Sequence, residues 1–489
     1  MRICATTEPM LHQRAAVEKI APSRVGGLFM DMGTGKSLTA IMLAEMRQAA
    51  IDKVWWGCPC ALRQTIVEQI LKHTTATAED VHVLTSASRE EDILRASWIV
   101  FGIESVGQSD AVTLKLARHV DERSMMIVDE STYIKGPRAK RTDRLTKIAS
   151  VCRYRLVMTG TPLTQGLVDL FAQMRFLSEK ILGYRSFWSF EQAHVRYRCE
   201  RKVLPHSGRR VEVRTNHVVG YRNVEALVGN VAPYVFQVRK EDCLDLPDKV
   251  FVERRFDMTP EQSDLYELTK REMILDRPVD DFFGSSASIA MFRLFGALQR
   301  ITAGIATIGG GPVGHDRVAT LLAAVDQVPD GEPVVIWTKY KKAADQIAAA
   351  LVERTGDPDC ATIYDGRYLD AVRQRNLAAW RDRRHRFLLA TQDSGGHGLT
   401  LVECAWTFFY ADGFKYSNRL QAEDRFHRIG QTRRPTLVSI VCNDSIDERI
   451  LENHSTKGGA LAAFRQGLDR EGRTNAKDRL MSFVGGRKL

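Results

Sequence analysis

The sequence has few of the features that mark secreted, membrane or fibrous proteins. Its nine cysteines form no Cys-x-x-Cys pair, and the closest two, Cys58 and Cys60, flank Pro59 in an apolar run. That spacing favours buried thiols in a reducing compartment over a disulfide framework or a metal site. The first residues lack an uninterrupted apolar core, and no run of eighteen apolar residues occurs, so the sequence predicts neither a signal peptide nor a transmembrane helix. We therefore expect a cytoplasmic protein without a membrane partner.

Heptads, low-complexity tails and conspicuous repeats are also absent, and the composition is that of a globular protein. With 489 residues the chain is too long for one hydrophobic core, so two to four domains are expected. Seventy Lys and Arg against sixty Asp and Glu give a net charge of +10. This excess is a mild indication of a polyanionic partner, although many basic proteins bind no nucleic acid.

Apolar strands alternate with helical patterns in two regions of the chain, which predicts parallel sheets wrapped by helices. Residues 185–214 lie between these regions and contain eight Lys or Arg and three acids, with aromatic residues interleaved. This segment reads either as an inserted, basic, partly helical element or as a solvated connection. The predicted strands are 28–30, 54–56, 81–84, 98–101, 125–128 and 155–158 in the first region, and 334–337, 361–364, 387–390, 407–410 and 437–441 in the second.

A glycine-rich segment, Gly33-Thr34-Gly35-Lys36-Ser37, follows the first predicted strand and precedes a helical pattern. In this context backbone N–H groups and a helix N-terminus can cradle phosphates. Lys36 would place its charge on the β and γ phosphates, and the Ser37 hydroxyl would ligate Mg²⁺. Met30 replaces the usual first glycine, so a glycine turn with a chance Lys-Ser pair is the alternative.

Two further strand ends carry polar residues that suit phosphoryl transfer. Asp129 and Glu130 follow an apolar strand, where Asp129 can hold Mg²⁺ and Glu130 can polarise the attacking water. The alternative is a pair of solvated acids. The hydroxyls of Thr159 and Thr161 close the next strand and could couple a nucleotide site to domain movement, or belong to a plain turn.

An arginine pair lies almost four hundred residues further on. Arg425 and Arg428 are three residues apart, which predicts that they share one face of a helix. Arginines stabilise the charge on a transferred phosphate. Such a spacing alone is usual on a solvated helix face, but the surrounding QAEDRFHRIGQ is far more specific.

The order of these motifs, with Gly-Gly-x-Gly-Leu before the arginine pair, resembles helicase superfamily two, and QAEDRFHRIGQ resembles its Swi/Snf-type branch of double-stranded-DNA translocases. The similarity runs from about residue 9 to 457. It implies an α/β fold of two RecA-like parallel-sheet lobes with a helical insertion between the third and fourth motifs. The first lobe would span 1–245 with the insertion at about 180–235. The second would span 246–489, with a helical lead-in at about 258–330 and a brace helix from about 445.

The resemblance also implies ATP and Mg²⁺ in a cleft between the lobes. Lys36, Asp129, Glu130, Arg425 and Arg428 would be catalytic, with the arginines reaching across from the second lobe, and Ser37 and Asp129 would hold the metal. Thr159 and Thr161 would couple the site to movement. The expected nucleotide-binding residues are Gln13, which would read adenine, and Gly33, Thr34, Gly35, Lys36, Ser37, Gly398 and Gln421.

One departure from the family pattern concerns the acidic pair. The family commonly has Asp-Glu-Ala-His, whereas this chain has Ser131 and Thr132 after its two acids. The histidine that usually touches the third motif is therefore missing. The resemblance therefore leaves the details of coupling open.

The expected function is an ATP-dependent motor that moves on duplex DNA, mostly through phosphate contacts and without strong sequence specificity. A strand-separating DNA or RNA helicase is the alternative enzyme. A nucleotide-gated binding module that has lost hydrolysis is a third hypothesis, against which the intact catalytic residues argue. Placement by resemblance suggests DNA contacts that are each also readable as plain surface residues: Arg63, Gln64, Lys339, Tyr340, Arg367, Ser394 and Gly395.

Eukaryotic remodellers of this family carry long histone-reading additions, for which these 489 residues leave almost no room, so we expect a bare motor of a bacterial cell or a phage-infected host. An unidentified protein partner that supplies specificity is left open. Since closure of two lobes needs one chain only, a monomer is the simpler expectation.

Overall fold

The computed structural model describes residues 4–160, 162, 167–203, 210–275, 287–308, 311–392 and 399–455. Four predicted site residues, Thr161, Ser394, Gly395 and Gly398, lie outside this part of the chain. The residues fall into two compact units that divide between Asp245 and Leu246. Among the described helices, none combines the length and apolarity needed to cross a bilayer.

The first unit is built on a parallel sheet of seven strands. Its strands are β1 (Val25–Met30), β2 (Lys53–Cys58), β3 (Val81–Leu84), β4 (Trp98–Gly102), β5 (Ser124–Asp129), β6 (Tyr154–Met158) and β9 (Val235–Val238), and their spatial order is β3-β4-β2-β5-β6-β1-β9. A separate antiparallel ribbon pairs β7 (Val195–Val203) with β8 (Arg210–Tyr221). The helices are α1 (Leu11–Ile20), α2 (Lys36–Arg47), α3 (Arg63–His73), α4 (Glu90–Arg95), α5 (Ile103–Gln108), α6 (Asp110–His119), α7 (Lys140–Ala149), α8 (Val168–Leu177), α9 (Glu179–Leu182), α10 (Phe187–His194), α11 (Val224–Val231) and α12 (Lys240–Cys243).

The central strands of this sheet are apolar on both faces because helices cover both sides. Neighbouring residues of β2 illustrate this: Trp55 packs into the core on one face and Trp56 into the core on the other. Both indoles are fully buried. This double burial explains why the strands read in sequence as continuous apolar runs rather than as an alternating pattern.

The second unit contains a parallel sheet of six strands. Its strands are β10 (Val250–Phe256), β13 (Val334–Thr338), β14 (Ala361–Tyr364), β15 (Phe387–Thr391), β16 (Trp406–Ala411) and β17 (Thr436–Cys442), in the order β10-β17-β16-β13-β15-β14; a short antiparallel pair joins β11 (Thr307–Ile308) and β12 (Gly311–Pro312). The helices are α13 (Pro260–Lys270), α14 (Ala287–Thr302), α15 (Arg317–Val325), α16 (Lys341–Thr355), α17 (Asp370–Arg381), α18 (Tyr416–Glu423) and α19 (Ile446–Ser455).

These two sheets confirm the predicted class of two parallel-sheet units, and every strand that the sequence predicted is present. The insertion that was expected to be helical at about 180–235 contains α10 and α11 but also the antiparallel ribbon of β7 and β8. The strands that the sequence did not predict are β7, β8, β9, β10 and the short pair β11 and β12. β10 is an edge strand whose residues are alternately half-buried and exposed along most of its length. Its charged residues interrupt the apolar pattern by which the other strands were predicted. Pairing with β17 supplies its backbone hydrogen bonds.

Candidate nucleotide-binding residues and arginine pair

Three of the predicted motifs lie at the same edge of the first sheet. Strands β5, β6 and β1 are neighbours and run parallel, so their carboxyl ends lie side by side. The glycine-rich segment follows β1, the acidic pair ends β5, and Thr159 follows β6, with its backbone N–H bonded to the Leu28 carbonyl at 3.1 Å. In open α/β sheets this edge is where ligands bind.

The glycine-rich loop has the backbone shape that such a site requires. Gly33 and Gly35 have φ of 84° and 83°, a region that side chains rarely adopt, and α2 begins directly after Gly35. Lys36 and Ser37 therefore occupy the first turn of α2. The Lys36 ammonium donates to the carbonyls of Met30 at 2.9 Å and Asp31 at 3.1 Å, so it lies over the loop itself.

Gln13 contacts this loop directly. Its amide nitrogen donates to the carbonyls of Thr34 and Gly35 at 3.2 and 3.4 Å, and its amide oxygen accepts from the backbone N–H of Met10 at 2.9 Å. A β-carbon on residue 35 would collide with that nitrogen. The side chain thus packs against the phosphate loop, and its amide oxygen, which accepts one bond, keeps a second lone pair for the predicted adenine contact.

The acidic pair forms a strained turn. Glu130 has φ of 53°, which is unusual for a residue with a side chain. Its buried carboxylate accepts hydrogen bonds from the hydroxyls of Thr132 and Thr159, both at 3.1 Å. The predicted coupling residue Thr159 is therefore in direct contact with the predicted catalytic acid.

Burial raises the pKa of the Asp129 carboxyl to about 6; the charge of Glu130 adds to this, while Lys36 opposes it. A divalent cation would favour the charged form of such a carboxylate. A carboxylate of this kind, together with the Ser37 hydroxyl at the start of α2, is a donor set that suits Mg²⁺, which is usually held by one or two carboxylates together with phosphate oxygens and water.

Gly160 is a further site residue that the sequence did not single out. A β-carbon at this position would meet the Met32 nitrogen at 3.3 Å and the Met30 oxygen at 3.4 Å. The segment after β6 thus lies against the backbone of the phosphate loop. In the sequence this residue is only a glycine between two threonines, a pattern that is also typical of a plain turn.

In the second unit, the prediction that Arg425 and Arg428 share a helix face is wrong. Helix α18 ends at Glu423, and both arginines lie in the turns that follow. They are nevertheless brought together, since both guanidinium groups donate to the Leu399 carbonyl, at 3.3 and 3.2 Å. Burial lowers the pKa of the Arg428 guanidinium from its ordinary value. Gln421 lies in the last turn of α18.

A buried ionic cluster supports α18 and was not predicted. Arg419 bonds to Asp412 at 2.6 Å and Glu423 at 2.8 Å, and its guanidinium lies 3.4 Å from the centre of the Phe409 ring. Lys249 bonds to Glu423 at 2.9 Å. This cluster fixes the helix that precedes the arginine pair.

The predicted DNA contacts differ in their surroundings. Arg63 begins α3 and donates to the Cys60 carbonyl at 3.0 Å, and Gln64 beside it is exposed. Lys339 and Tyr340, just after β13, both donate to the Gln299 side-chain oxygen, at 2.9 and 3.1 Å.

Arg367, a further predicted DNA contact, bonds to Asp365 at 2.7 Å and to Asp345 at 2.6 Å. These hydrogen bonds raise the pKa of its guanidinium. A DNA phosphate would therefore have to compete with two carboxylates for this side chain.

The fold and these motifs define the class of the protein: an α/β nucleotide-binding protein with two parallel sheets. The chain belongs to the SNF2-related family, because the SNF2-related domain matches residues 12–300 and the helicase conserved C-terminal domain matches residues 316–430. The resemblance to Swi/Snf-type ATPases of helicase superfamily two is thereby confirmed.

Several curated proteins are similar to this chain. The TATA-binding protein-associated factor mot1 of Aspergillus fumigatus is 23% identical over 372 residues, covering 66% of this chain and 19% of that protein. The SWI/SNF chromatin-remodeling complex subunit snf22 of Schizosaccharomyces pombe is 26% identical over 361 residues, covering 68% and 20%. The chain thus spans about a fifth of the length of these relatives.

Among solved structures, the Sulfolobus solfataricus SWI2/SNF2 ATPase core in complex with dsDNA is 18% identical. The match covers 99% of this chain and 98% of that chain, with a TM-score of 0.42.

Proposed function

We propose that this protein is an ATP-driven motor that moves along duplex DNA without strong sequence preference. The observation that carries the proposal is the convergence of the phosphate loop, the acidic pair and Thr159 at one edge of the first sheet, in a chain of the SNF2-related family. The basic net charge of +10 agrees with a polyanionic track.

The residues at this edge suit hydrolysis of a nucleoside triphosphate. The backbone N–H groups of residues 33–36 and the start of α2 would bind the phosphates, and Lys36 would exchange its two carbonyl partners for phosphate oxygens. Ser37 and Asp129 would hold Mg²⁺, which neutralises phosphate charge when bound.

Glu130 is the proposed general base. Its carboxylate would accept a proton from water as the water oxygen attacks the γ phosphorus and the bond to the leaving ADP oxygen breaks. The hydroxyls of Thr132 and Thr159 already hold that carboxylate in place. Glu130→Gln is therefore expected to bind ATP and fail to hydrolyse it.

Arg425 and Arg428 are the proposed arginines for charge on the transferred phosphate. An arginine in this role contributes about 10³ to 10⁵ in rate. Arg428→Ala is the cleaner test, since Arg425 is more deeply buried and its loss would also disturb packing. Arg354→Ala, which breaks only an exposed ion pair with Asp326, is the matched control. Wild-type turnover in Arg428→Ala would remove this arginine from the mechanism.

The proposed track is tested by measuring ATPase activity with duplex DNA, single-stranded DNA and RNA. Stimulation by duplex DNA, with movement shown by displacement of a third strand, is the expected result. Stimulation only by single strands would favour a strand-separating helicase, and stimulation only by RNA would overturn the DNA assignment. Because phosphate contacts dominate the proposed binding, affinity for duplex DNA should fall steeply with salt, and a flat response would contradict this mode of binding.

A further inference from the structure

A buried glutamine joins the acidic turn to the segment that follows β6. Gln173 lies on α8 and is fully buried. Its side-chain oxygen accepts from the Ser131 hydroxyl at 2.6 Å, and its side-chain nitrogen donates to the carbonyls of Pro162 and Asp169, both at 2.9 Å. One amide group thus holds the residue after Glu130, the segment after β6 and its own helix.

The orientation of this amide is determined by its partners. The two carbonyls can only accept, so they must face the nitrogen, and the oxygen is left for the Ser131 hydroxyl. A rotated amide would place its oxygen against two carbonyl oxygens. The amide therefore acts as a directional link in which no partner can be exchanged without leaving a buried polar group unsatisfied.

The acidic turn and the segment after β6 are joined by a second contact besides the Gln173 amide. Glu130 accepts a hydrogen bond from Thr159, while Ser131 and Pro162, each lying further along the chain, are joined through Gln173. Two connections at different points prevent one turn from pivoting against the other. Displacement of the acidic turn must then move the segment after β6, which also lies against the phosphate loop at Gly160.

We propose that Gln173 is a positioning residue that makes the acidic turn move as one unit with Thr159, Gly160 and Pro162, so that DNA binding is transmitted to Glu130. The proposal rests on the proposed function for its DNA-dependent part. The proposal concerns the turn at Ser131 and Thr132, where the family commonly has Ala and His. The histidine that usually touches the third motif is missing from this turn. Gln173 acts through Ser131 and Pro162 rather than on the nucleotide.

The test compares Gln173→Met, Ser131→Ala and the double variant. Methionine nearly matches glutamine in shape, so it removes the link with little change in volume. We expect the ratio of duplex-stimulated to basal kcat to fall about tenfold in Gln173→Met and in the double variant, with KM for ATP unchanged. Ser131→Ala keeps the bond between Gln173 and Pro162, so its ratio of stimulated to basal kcat should lie between those of these variants and that of the wild type.

Stability separates this role from simple packing. In the double variant the Ser131 hydroxyl is no longer left unsatisfied, so its melting temperature should recover part of what Gln173→Met loses. The stimulation ratio should not recover with it. Gln262→Met is the matched control, since Gln262 is also fully buried and donates to the Ile301 carbonyl in the other unit. A double variant that regains the wild-type ratio would overturn the proposal.

Amide hydrogen exchange with ADP–aluminium fluoride gives a readout that needs no DNA. In the wild type the complex should slow exchange both in the peptide with residues 131–134 and in the peptide with residues 159–162. In the Gln173→Met protein the second change should be lost while the first remains. If duplex DNA does not stimulate the wild type, the proposed function fails, and the exchange result still decides for or against Gln173. Equal protection in both proteins would refute the link.

Discussion

At the scale of single residues, the buried carboxylate of Asp129 lowers the stability of the fold when it is charged. Its pKa is raised from 3.8 to about 6, so between about pH 4 and pH 6 the folded protein holds a proton there that the unfolded chain has already released. Stability is therefore fully present below the ordinary pKa and declines as pH rises from about 4 to about 6. A carboxylate that destabilises the fold in this way is typical of a functional site.

Asp129→Asn is thus expected to be more stable than the wild type above pH 6, while losing Mg²⁺-dependent ATP hydrolysis. The gain in the free energy of unfolding is at most about 3 kcal/mol, because the pKa shift from 3.8 to about 6 is multiplied by about 1.4 kcal/mol per unit. Solvent screening reduces this gain. Denaturant unfolding at pH 4, 6 and 8 measures the effect. Asp52→Asn serves as the opposite control, because its bond to Arg123 lowers the pKa of Asp52 and its contribution disappears as pH falls. Equal or lower stability of Asp129→Asn at pH 8 would contradict the assignment.

Arg63 and Arg367 were both predicted to bind DNA phosphate, but their contacts lead to different expectations. Arg367 is neutralised by two carboxylates, whereas the hydrogen bond of Arg63 is to a backbone carbonyl. We predict that Arg63→Ala reduces the slope of log affinity against log salt by about one, and that Arg367→Ala leaves it unchanged. Fluorescence anisotropy with a duplex at several salt concentrations measures both slopes. A change in the Arg367 variant alone would reverse the ranking.

At the scale of elements, Arg317 at the start of α15 holds several segments of the second unit together. It is fully buried, pairs with Asp447 of α19, and donates to the carbonyls of Tyr410, Ile440 and Thr302. These partners lie on β16, β17 and α14. One cation therefore satisfies carbonyls from three elements and anchors the last described helix.

Replacing Arg317 with Met should cost about 3–5 kcal/mol, because Asp447 would remain as a buried, uncompensated charge. Thermal unfolding followed by circular dichroism gives the loss. Arg317→Met with Asp447→Leu removes both charges and should recover part of the stability. Arg354→Ala, at an exposed ion pair, should cost at most about 1 kcal/mol. An Arg317 effect as small as that of Arg354 would show that the buried pair contributes little.

At the scale of the whole molecule, each unit has hydrophobic cores of its own. We propose that fragments 1–245 and 246–489 fold separately. The first carries the phosphate loop and should bind a fluorescent ATP analogue, whereas the second should not. Neither should hydrolyse ATP in response to duplex DNA, since the loop and the arginine pair would then be on different chains. Duplex-stimulated turnover by 1–245 alone would contradict a role for Arg425 and Arg428.

Much of the molecule could be predicted from sequence because its signals are local. A buried parallel strand is a run of apolar residues, and the phosphate loop requires glycines at particular positions before a helix. The strands that lead into the phosphate loop and into the acidic pair, β1 and β5, were therefore predicted correctly. The ribbon of β7 and β8 and the charged strand β10 were not predicted. These segments have no apolar strand pattern of their own, and pairing with a partner strand stabilises them as strands.

The sequence by itself determined the family, the two-sheet class and the order of the motifs, because glycine, lysine and paired acids at fixed spacings leave few other interpretations. Only the tertiary structure decided how the side chains are used. It places Arg425 and Arg428 beyond the end of a helix on one shared carbonyl, engages Arg367 with carboxylates, and connects Ser131 to Pro162 through Gln173. These contacts join residues far apart in the chain, and no local pattern encodes such distances.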